Sequence, residues 1–450
     1  MQTQTPQKEN KMGTMPIPKL VLSMSIPIMI SMVVQSMYNI VDSIFVARIN
    51  EAALTATSLA YSAQMLQIAV AVGTGVGTNA LVSKKLGQKS FDEAGEAAAT
   101  GLILTLASSL IFVVWGLFGS KGFIGMFTDN PVICGYGATY LRICQVYAMG
   151  IFLGTFFQRM LQATGRTVSS MLAQMAGALI NLILDPILIF GYLGFPEMGI
   201  AGAAIATVIG QWSAAVLGLI LHRAVNKELR FKCRGFRLQK TYIASIYKVG
   251  APTILTQAFG SIMIALMNMV LILFSSTAVA FFGVYFKLQS FLFMPLNGLG
   301  QGSLPIVGYN FGAKNPERIR ETLRTTIRCG LLFAAVGVII FMAFPGPLLD
   351  AFDASAAMKE LGVPALRIIC IGFLPASVTM MIGYGASGLG SGFVNMISTA
   401  IRQCIVLIPC VLVLGRIGDV GCVWFAFWIA EACAVIYALL QLRKLTAVFS

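Results

Sequence analysis

The sequence predicts an all-α polytopic membrane protein with twelve transmembrane helices in two six-helix lobes. Three observations carry this reading. The chain is 57% hydrophobic and 11% charged, with a mean hydropathy of +0.84, whereas soluble globular chains carry about 25% charged residues. Apolar runs recur along almost the whole length, each near the ~20 residues a helix needs to cross a bilayer. The chain also matches itself once, at about half its length.

Taken in order, the spans fall at roughly 17–45, 53–83, 96–118, 132–157, 167–192, 199–223, 249–274, 278–308, 321–345, 360–385, 394–414 and 421–442. The opening segment MQTQTPQKENKMGTMPIPK is polar and has no small-residue cleavage site before a short apolar core. No removable signal peptide is expected, and the first span is the anchor. The alternating ~10-residue strands of a membrane barrel do not occur. The longest and most basic polar connection lies between the sixth and seventh spans. It divides the chain into an N-lobe (1–225), a cytoplasmic linker (226–248) and a C-lobe (249–450).

The internal match supports that division. Near position 75 the chain reads GVGTNALVSKKLGQK, and near 300 it reads GQGSLPIVGYNFGAK. An offset of 225 pairs Pro27 with Pro252, Gly75 with Gly300, Gly77 with Gly302, Thr78 with Ser303, Gly87 with Gly312 and Lys89 with Lys314. A slightly shorter offset of 223 pairs Gly165 with Gly388 and Pro186 with Pro409. Six spans per copy is an even number, so the copies run parallel across the membrane, related by an axis along its normal. The abundant glycines at small-residue spacing (Gly73, Gly75 and Gly77; Gly298, Gly300 and Gly302) read as close helix packing. A phosphate loop is excluded, because the Gly-rich stretch lies inside a span and lacks the GK[ST] ending.

A net charge of +14 would suggest nucleic acid in a soluble chain. Here its distribution decides otherwise. With the N-terminus cytoplasmic, only Arg48, Lys121, Arg142, Lys359, Arg367 and Arg416 fall on the far side. Lys287 lies inside a span, and the other 24 of the 31 Lys and Arg are on the cytoplasmic side or at its helix ends. That bias places both termini in the cytoplasm of a cell with this inner membrane, with some affinity for anionic lipid and no nucleic-acid partner. The nine cysteines are scattered without CxxC spacing and read as small core residues. The single histidine, His222, makes a His-based metal site untenable, and no catalytic constellation occurs, so no enzyme activity and no cofactor are expected.

Three acids lie well inside spans, where an ionisable group costs at least ~2.5–3.5 kcal/mol. Asp42 follows Tyr38 by four residues in SMYNIVDSIFV, so both share a helical face. Asp185 follows Asn181 by four in NLILDPILIF, and Pro186 removes a backbone hydrogen bond and bends the helix. Carboxyl, amide and freed carbonyl oxygens suit Na⁺, and a buried carboxyl suits H⁺. A helix-end carboxylate at Asp42 and a satisfied polar pair at Asp185 are the structural alternatives. Glu431 is either a third protonation site or a packing carboxyl, with no partner visible in its span. Lys287 reads as buried and in need of a counter-charge. Met37 and the other methionines suit a cleft for varied apolar ligands. At an offset of 225 the second copy has Met267 where the first has Asp42. At 223 it has Ile408 for Asp185 and Cys404 for Asn181.

These residues resemble the multidrug and toxic compound extrusion (MATE) family, in its DinF/MepA-like bacterial branch. The resemblance covers essentially the whole chain. It is carried by YNIVDSIFV, GTGVGTNALVSKKLGQK, LQATGRT, NLILDPILIFGYLG with GIAGAAIAT, and GQGSLPIVGYNFGAK. It implies two six-helix lobes arranged as a V and export of cationic and aromatic compounds in exchange for H⁺ or Na⁺. It also implies an N-lobe coupling site of Asp42, Tyr38, Asn181, Asp185 and Thr207. Gln158 would be the polar contribution of the fourth helix, where an amide Asn is more usual. Na⁺, if used, would sit at Asp42, Asn181, Asp185 and Thr207. The seventh span holds no acid, so the C-lobe cation site of the NorM-like branch is not expected.

The resulting expectation is a cation-coupled antiporter, monomeric in the bilayer, with H⁺ preferred over Na⁺ because each Asp can become neutral in an apolar setting. Pro27 and Pro186 would act as hinges. Tyr38, Met37, Met267, Lys287 and Glu431 would face substrate. The alternative, a lipid-linked oligosaccharide flippase of the same broad fold, would want several Arg within the N-half spans, and no such set is present.

Overall fold

The computed structural model describes residues 10–226, 228–229, 238–418 and 420–447. Its helices are α1 (Lys11–Thr14), α2 (Ile17–Ala47), α3 (Glu51–Gly87), α4 (Phe91–Gly125), α5 (Pro131–Val146), α6 (Met149–Ala163), α7 (Thr167–Phe190) and α8 (Gly199–Val225). The second half supplies α9 (Lys240–Leu271), α10 (Ser276–Gly312), α11 (Pro316–Ala343), α12 (Pro345–Asp350), α13 (Ala356–Cys370), α14 (Phe373–Gly388) and α15 (Gly392–Ala400). After a π-helical turn (Ile401–Ile405) come α16 (Leu407–Ile417), α17 (Val420–Val423) and α18 (Ala426–Ala447). Among the described residues, ten stretches are long and apolar enough to cross a membrane. Two bent pairs, Pro131–Val146 with Met149–Ala163 (48°) and Ala356–Cys370 with Phe373–Gly388 (46°), bring the number to twelve if each is one span.

Local chemistry sets the helix ends, and it repeats at 225 residues. Asn50 caps α3 by accepting from the Ala53 amide, and Ser275 caps α10 by accepting from Ala278. Such caps satisfy backbone donors that a helix start leaves bare. The turns after α3 and α10 place Lys89 and Lys314 at φ 58° and 54°, and those after α6 and α14 place Gly165 and Gly390 at φ 82° and 84°. The last pair corrects the sequence alignment. The left-handed partner of Gly165 is Gly390, so the offset of 225 persists where 223 was expected.

Contacts divide the chain into two compact units, residues 1–15 with 30–254, and residues 16–29 with 255–450. Helix α2 therefore contributes its first part to the second unit, and α9 contributes its first part to the first. The glycine motifs explain both memberships. A Cβ on Gly77 would lie 2.1 Å from the Ile246 carbonyl oxygen, and one on Gly73 2.4 Å from Ile254, so α3 and the start of α9 meet backbone to backbone. In the second unit a Cβ on Gly302 would lie 2.5 Å from Ser25 Oγ, and one on Gly298 2.8 Å from Met29. Ser25 Oγ also donates to the Leu299 carbonyl at 3.2 Å.

Three sequence expectations change. The fourth and tenth spans are each broken; Gly150, packed on Trp212 at the start of α6, and Pro375, without an N–H in the first turn of α14, mark the breaks. The linker predicted at 226–248 is helical from Lys240, because Ile246 and Val249 are buried within the first unit; positions 227 and 230–237 lie outside the described residues. Lys287 is exposed rather than buried: Tyr285 and Leu288 take the inward positions on that turn of α10.

The short helix α1 docks at one end of the first unit. Asn10 Nδ2 donates to the Thr164 carbonyl at 3.2 Å and to Glu228 Oε2 at 2.9 Å, and Met12 is fully buried. Burial there, with the Arg166 guanidinium nearby, pushes the Lys11 ammonium below its ordinary pKa.

Candidate functional site

The first unit holds a polar cluster built from five helices. Helix α2 supplies Tyr38 and Asp42, one turn apart. Helix α7 supplies Asn181 and Asp185 at the same spacing, just before Pro186. Helix α8 supplies Thr207, whose hydroxyl donates to the Ala203 carbonyl at 3.0 Å. Asn181 Nδ2 donates to Asp185 Oδ1 at 3.3 Å and lies 3.5 Å from Thr207 Oγ1. The carboxyls of Asp42 and Asp185 lie within hydrogen-bonding reach of one another, with the Tyr38 phenol beside both.

Small residues make this convergence possible. A Cβ on Gly210 would meet the Gly177 carbonyl oxygen at 2.7 Å and Asn181 Cβ at 2.9 Å, and one on Gly202 would meet the Leu188 carbonyl oxygen at 2.4 Å. Helices α7 and α8 thus pack at backbone distance on both sides of the Asn181–Asp185 turn. A core of Ala53, Ala56, Ala60 and Ala63 on α3 with Ile189, Ile200, Ala203 and Ala204 lies against the cluster.

The cluster is largely buried and oxygen-rich. Asp185 is fully buried, and Asn181 and Thr207 are 2% and 7% exposed, while Asp42 is half-buried. Asp42 Oδ1, Asn181 Oδ1 and Asp185 Oδ2 are buried acceptors to which nothing among the described residues donates. Neither carboxyl forms an ion pair among the described residues. Three hard oxygen acceptors around two acids fit a proton or a small hard cation such as Na⁺.

Two residues belong to this cluster that the sequence did not single out. Tyr140 and Cys144 on α5 are buried. The Tyr140 hydroxyl is within reach of Thr207, and the Cys144 thiol is within reach of Tyr140 and of Gln64 on α3. Their i, i+4 spacing was the available signal, but Tyr and Cys in an apolar span read equally well as packing. Gln158 is half-buried on α6 and makes no hydrogen bond among the described residues. Met37 is 56% exposed on α2, and Met267 is fully buried in the second unit. Helix α7 runs unbroken through Pro186, and α2 through Pro27.

The second unit also contains buried charge. Glu431, for which no partner was visible in its span, accepts from Arg402 on the π-helical turn: Nε at 3.0 Å and Nη2 at 2.8 Å, both to Oε1.

Comparison with known proteins fits this architecture. The family model MatE matches twice, over residues 27–187 and 252–412. The chain belongs to the MatE family. The two matches are the two copies seen in the sequence, separated by the same 225 residues. Among curated MatE relatives, the multidrug export protein MepA of Staphylococcus haemolyticus is 25% identical over 421 residues, covering 92% of this chain and 91% of that protein. MepA of Staphylococcus aureus is 23% identical over 431 residues, covering 94% and 93%. Among solved structures, an outward-facing multidrug-resistance MATE transporter of the MOP superfamily superposes with a TM-score of 0.91 over 99% of each chain at 24% identity. At that identity the likeness supports the MatE fold alone.

Proposed function

We propose that this protein exports cationic and aromatic compounds across the cytoplasmic membrane in exchange for protons, with Asp42 and Asp185 as the coupling carboxyls. One observation carries the reading: two acids lie within reach of each other in a largely buried cluster, with no basic side chain paired to either among the described residues. Two carboxylates held that close repel, and a shared proton removes half the charge. Asn181 and Thr207 would orient the pair, and Tyr38 and Tyr140 would line it. Ion binding and drug binding must favour opposite-facing states for a gradient to drive export, and a cationic drug competes for the charge that the proton cancels. The naming of two relatives as multidrug export proteins supports the substrate class.

Ethidium efflux from cells or vesicles tests this. Asp42→Asn and Asp185→Asn should each reduce efflux to the level of cells lacking the protein. Undiminished efflux in both variants would sink the proposal. Collapsing the pH gradient should stop export by the unaltered protein, whereas dependence on Na⁺ would assign the same oxygens to that ion.

A further inference from the structure

The Arg402–Glu431 pair of the second unit has an unusual connectivity. Both guanidinium contacts fork onto one oxygen, Oε1. The other, Oε2, is buried and receives no hydrogen bond among the described residues, in a side chain only 10% exposed. Where an arginine and a carboxylate pair side-on, each oxygen takes a donor and the acid is saturated. Here half of the carboxylate is left over.

Its surroundings are specific. Tyr285 on α10 is 1% exposed and its hydroxyl has no hydrogen-bond partner among the described residues, although the phenol lies close enough to feel both charges. Cys370 on α13 is the remaining titratable neighbour of Tyr285, and Glu431 Cγ packs near Gly372. Aromatic rings close the seam: Tyr285 packs edge-on against Phe427, and Phe281 against Trp424. The guanidinium lies 5.6 Å from the centre of the Phe293 ring. Arg402 itself sits on a π-helical turn, where the Val406 amide bonds back to the Ile401 carbonyl. Such turns are rare and concentrate at functional positions. At the 225-residue offset Arg402 replaces Gly177, through which α7 packs on α8 in the first unit.

We propose that Glu431 is a proton-binding site of the second unit: Oε2 takes a proton from solution while Oε1 continues to accept from Arg402. The forked geometry lets the pair survive protonation, because the hydrogen bonds to Oε1 need no charge on the acid. The Phe293 face holds the guanidinium once its counter-charge is cancelled, and the buried Tyr285 phenol is near enough to sense the change of charge. Glu431 releases the proton to solution on return to alkaline medium, restoring the ion pair.

That this proton takes part in export rests on the antiport reading above; its existence does not. The test is infrared difference spectroscopy of the purified full chain in lipid, titrated in an Asp42→Asn/Asp185→Asn background. A protonated-carboxyl stretch should appear on acidification, vanish in the added Glu431→Gln variant, and shift in frequency in Tyr285→Phe. Glu431→Gln leaves Arg402 without an anion, so the charge-balanced Arg402→Gln/Glu431→Gln pair serves as the second subtraction and should lose the same band. A spectrum unchanged by either subtraction, or a Glu431 band present at every pH, would overturn the site. Undiminished efflux in the Asp42 and Asp185 variants would sink only the first reading.

Discussion

Asn181 donates to Asp185 and lies at hydrogen-bond range of Thr207, so one amide orients the Asp185 carboxyl against α8. Asn181→Ala leaves the Asp185 carboxyl without that donor in a buried setting, at a cost of ~1–3 kcal/mol, read as a lower thermal midpoint together with reduced efflux. Thr207 separates hydroxyl from shape: Thr207→Ser should retain export, and the near-isosteric Thr207→Val should lose most of it at similar stability. The acids themselves were legible in the sequence because an Asp in an apolar run is expensive, and a four-residue spacing puts Asn181 and Tyr38 on their faces. Tyr140 and Cys144 were not, because neither type is out of place in a core. Arg402 escaped for a different reason. It meets Glu431 from another helix, and interhelical register is set by packing rather than by spacing along the chain. Lys287 was misread because a span gives depth in the bilayer but not the direction of a side chain.

At the scale of the helix, glycine decides how close two elements come, and the same residue type has opposite effects at different positions. Gly210 has no room for a side chain, with the Gly177 carbonyl oxygen 2.7 Å from where a Cβ would stand, whereas a Cβ on Gly122 in α4 would meet nothing within 4 Å. Gly210→Val should push α8 off α7, costing about 1–3 kcal/mol by overpacking. Because Asn181 Cβ lies in the same path, it should also reduce efflux. Gly122→Ala should instead stabilise the protein by about 0.4–1 kcal/mol, since it removes chain freedom from the unfolded state at a helical position. Thermal unfolding in detergent, measured side by side, checks both signs. Helix identity and this small-residue packing followed from the sequence. The breaks within the fourth and tenth spans did not, because hydropathy averages across a bend that costs only two residues of helix.

The two bent pairs also govern the topology of the whole molecule. If each crosses the membrane, every copy has six spans and the copies are parallel; if each is a re-entrant hairpin, every copy has five and the second is inverted. The 225-residue repeat is compatible with both, since the bends recur at equivalent positions. Charge separates them. In the ten-span arrangement Arg166, Arg223, Lys240, Lys314, Arg318 and Arg320 would face outward while Lys84, Lys85 and Lys89 faced inward, against the tendency of short basic loops to remain in the cytoplasm. We therefore expect twelve spans, with Lys89 and its repeat equivalent Lys314 on the same, cytoplasmic side. In a background with the nine native cysteines replaced, Lys89→Cys and Lys314→Cys should both resist a membrane-impermeant maleimide in intact cells and react after permeabilisation. Lys121→Cys and Lys359→Cys should react in intact cells. Labelling of Lys314→Cys but not Lys89→Cys from outside would establish ten spans and inverted copies. Asp42 could then no longer be compared with Met267 by a simple parallel register.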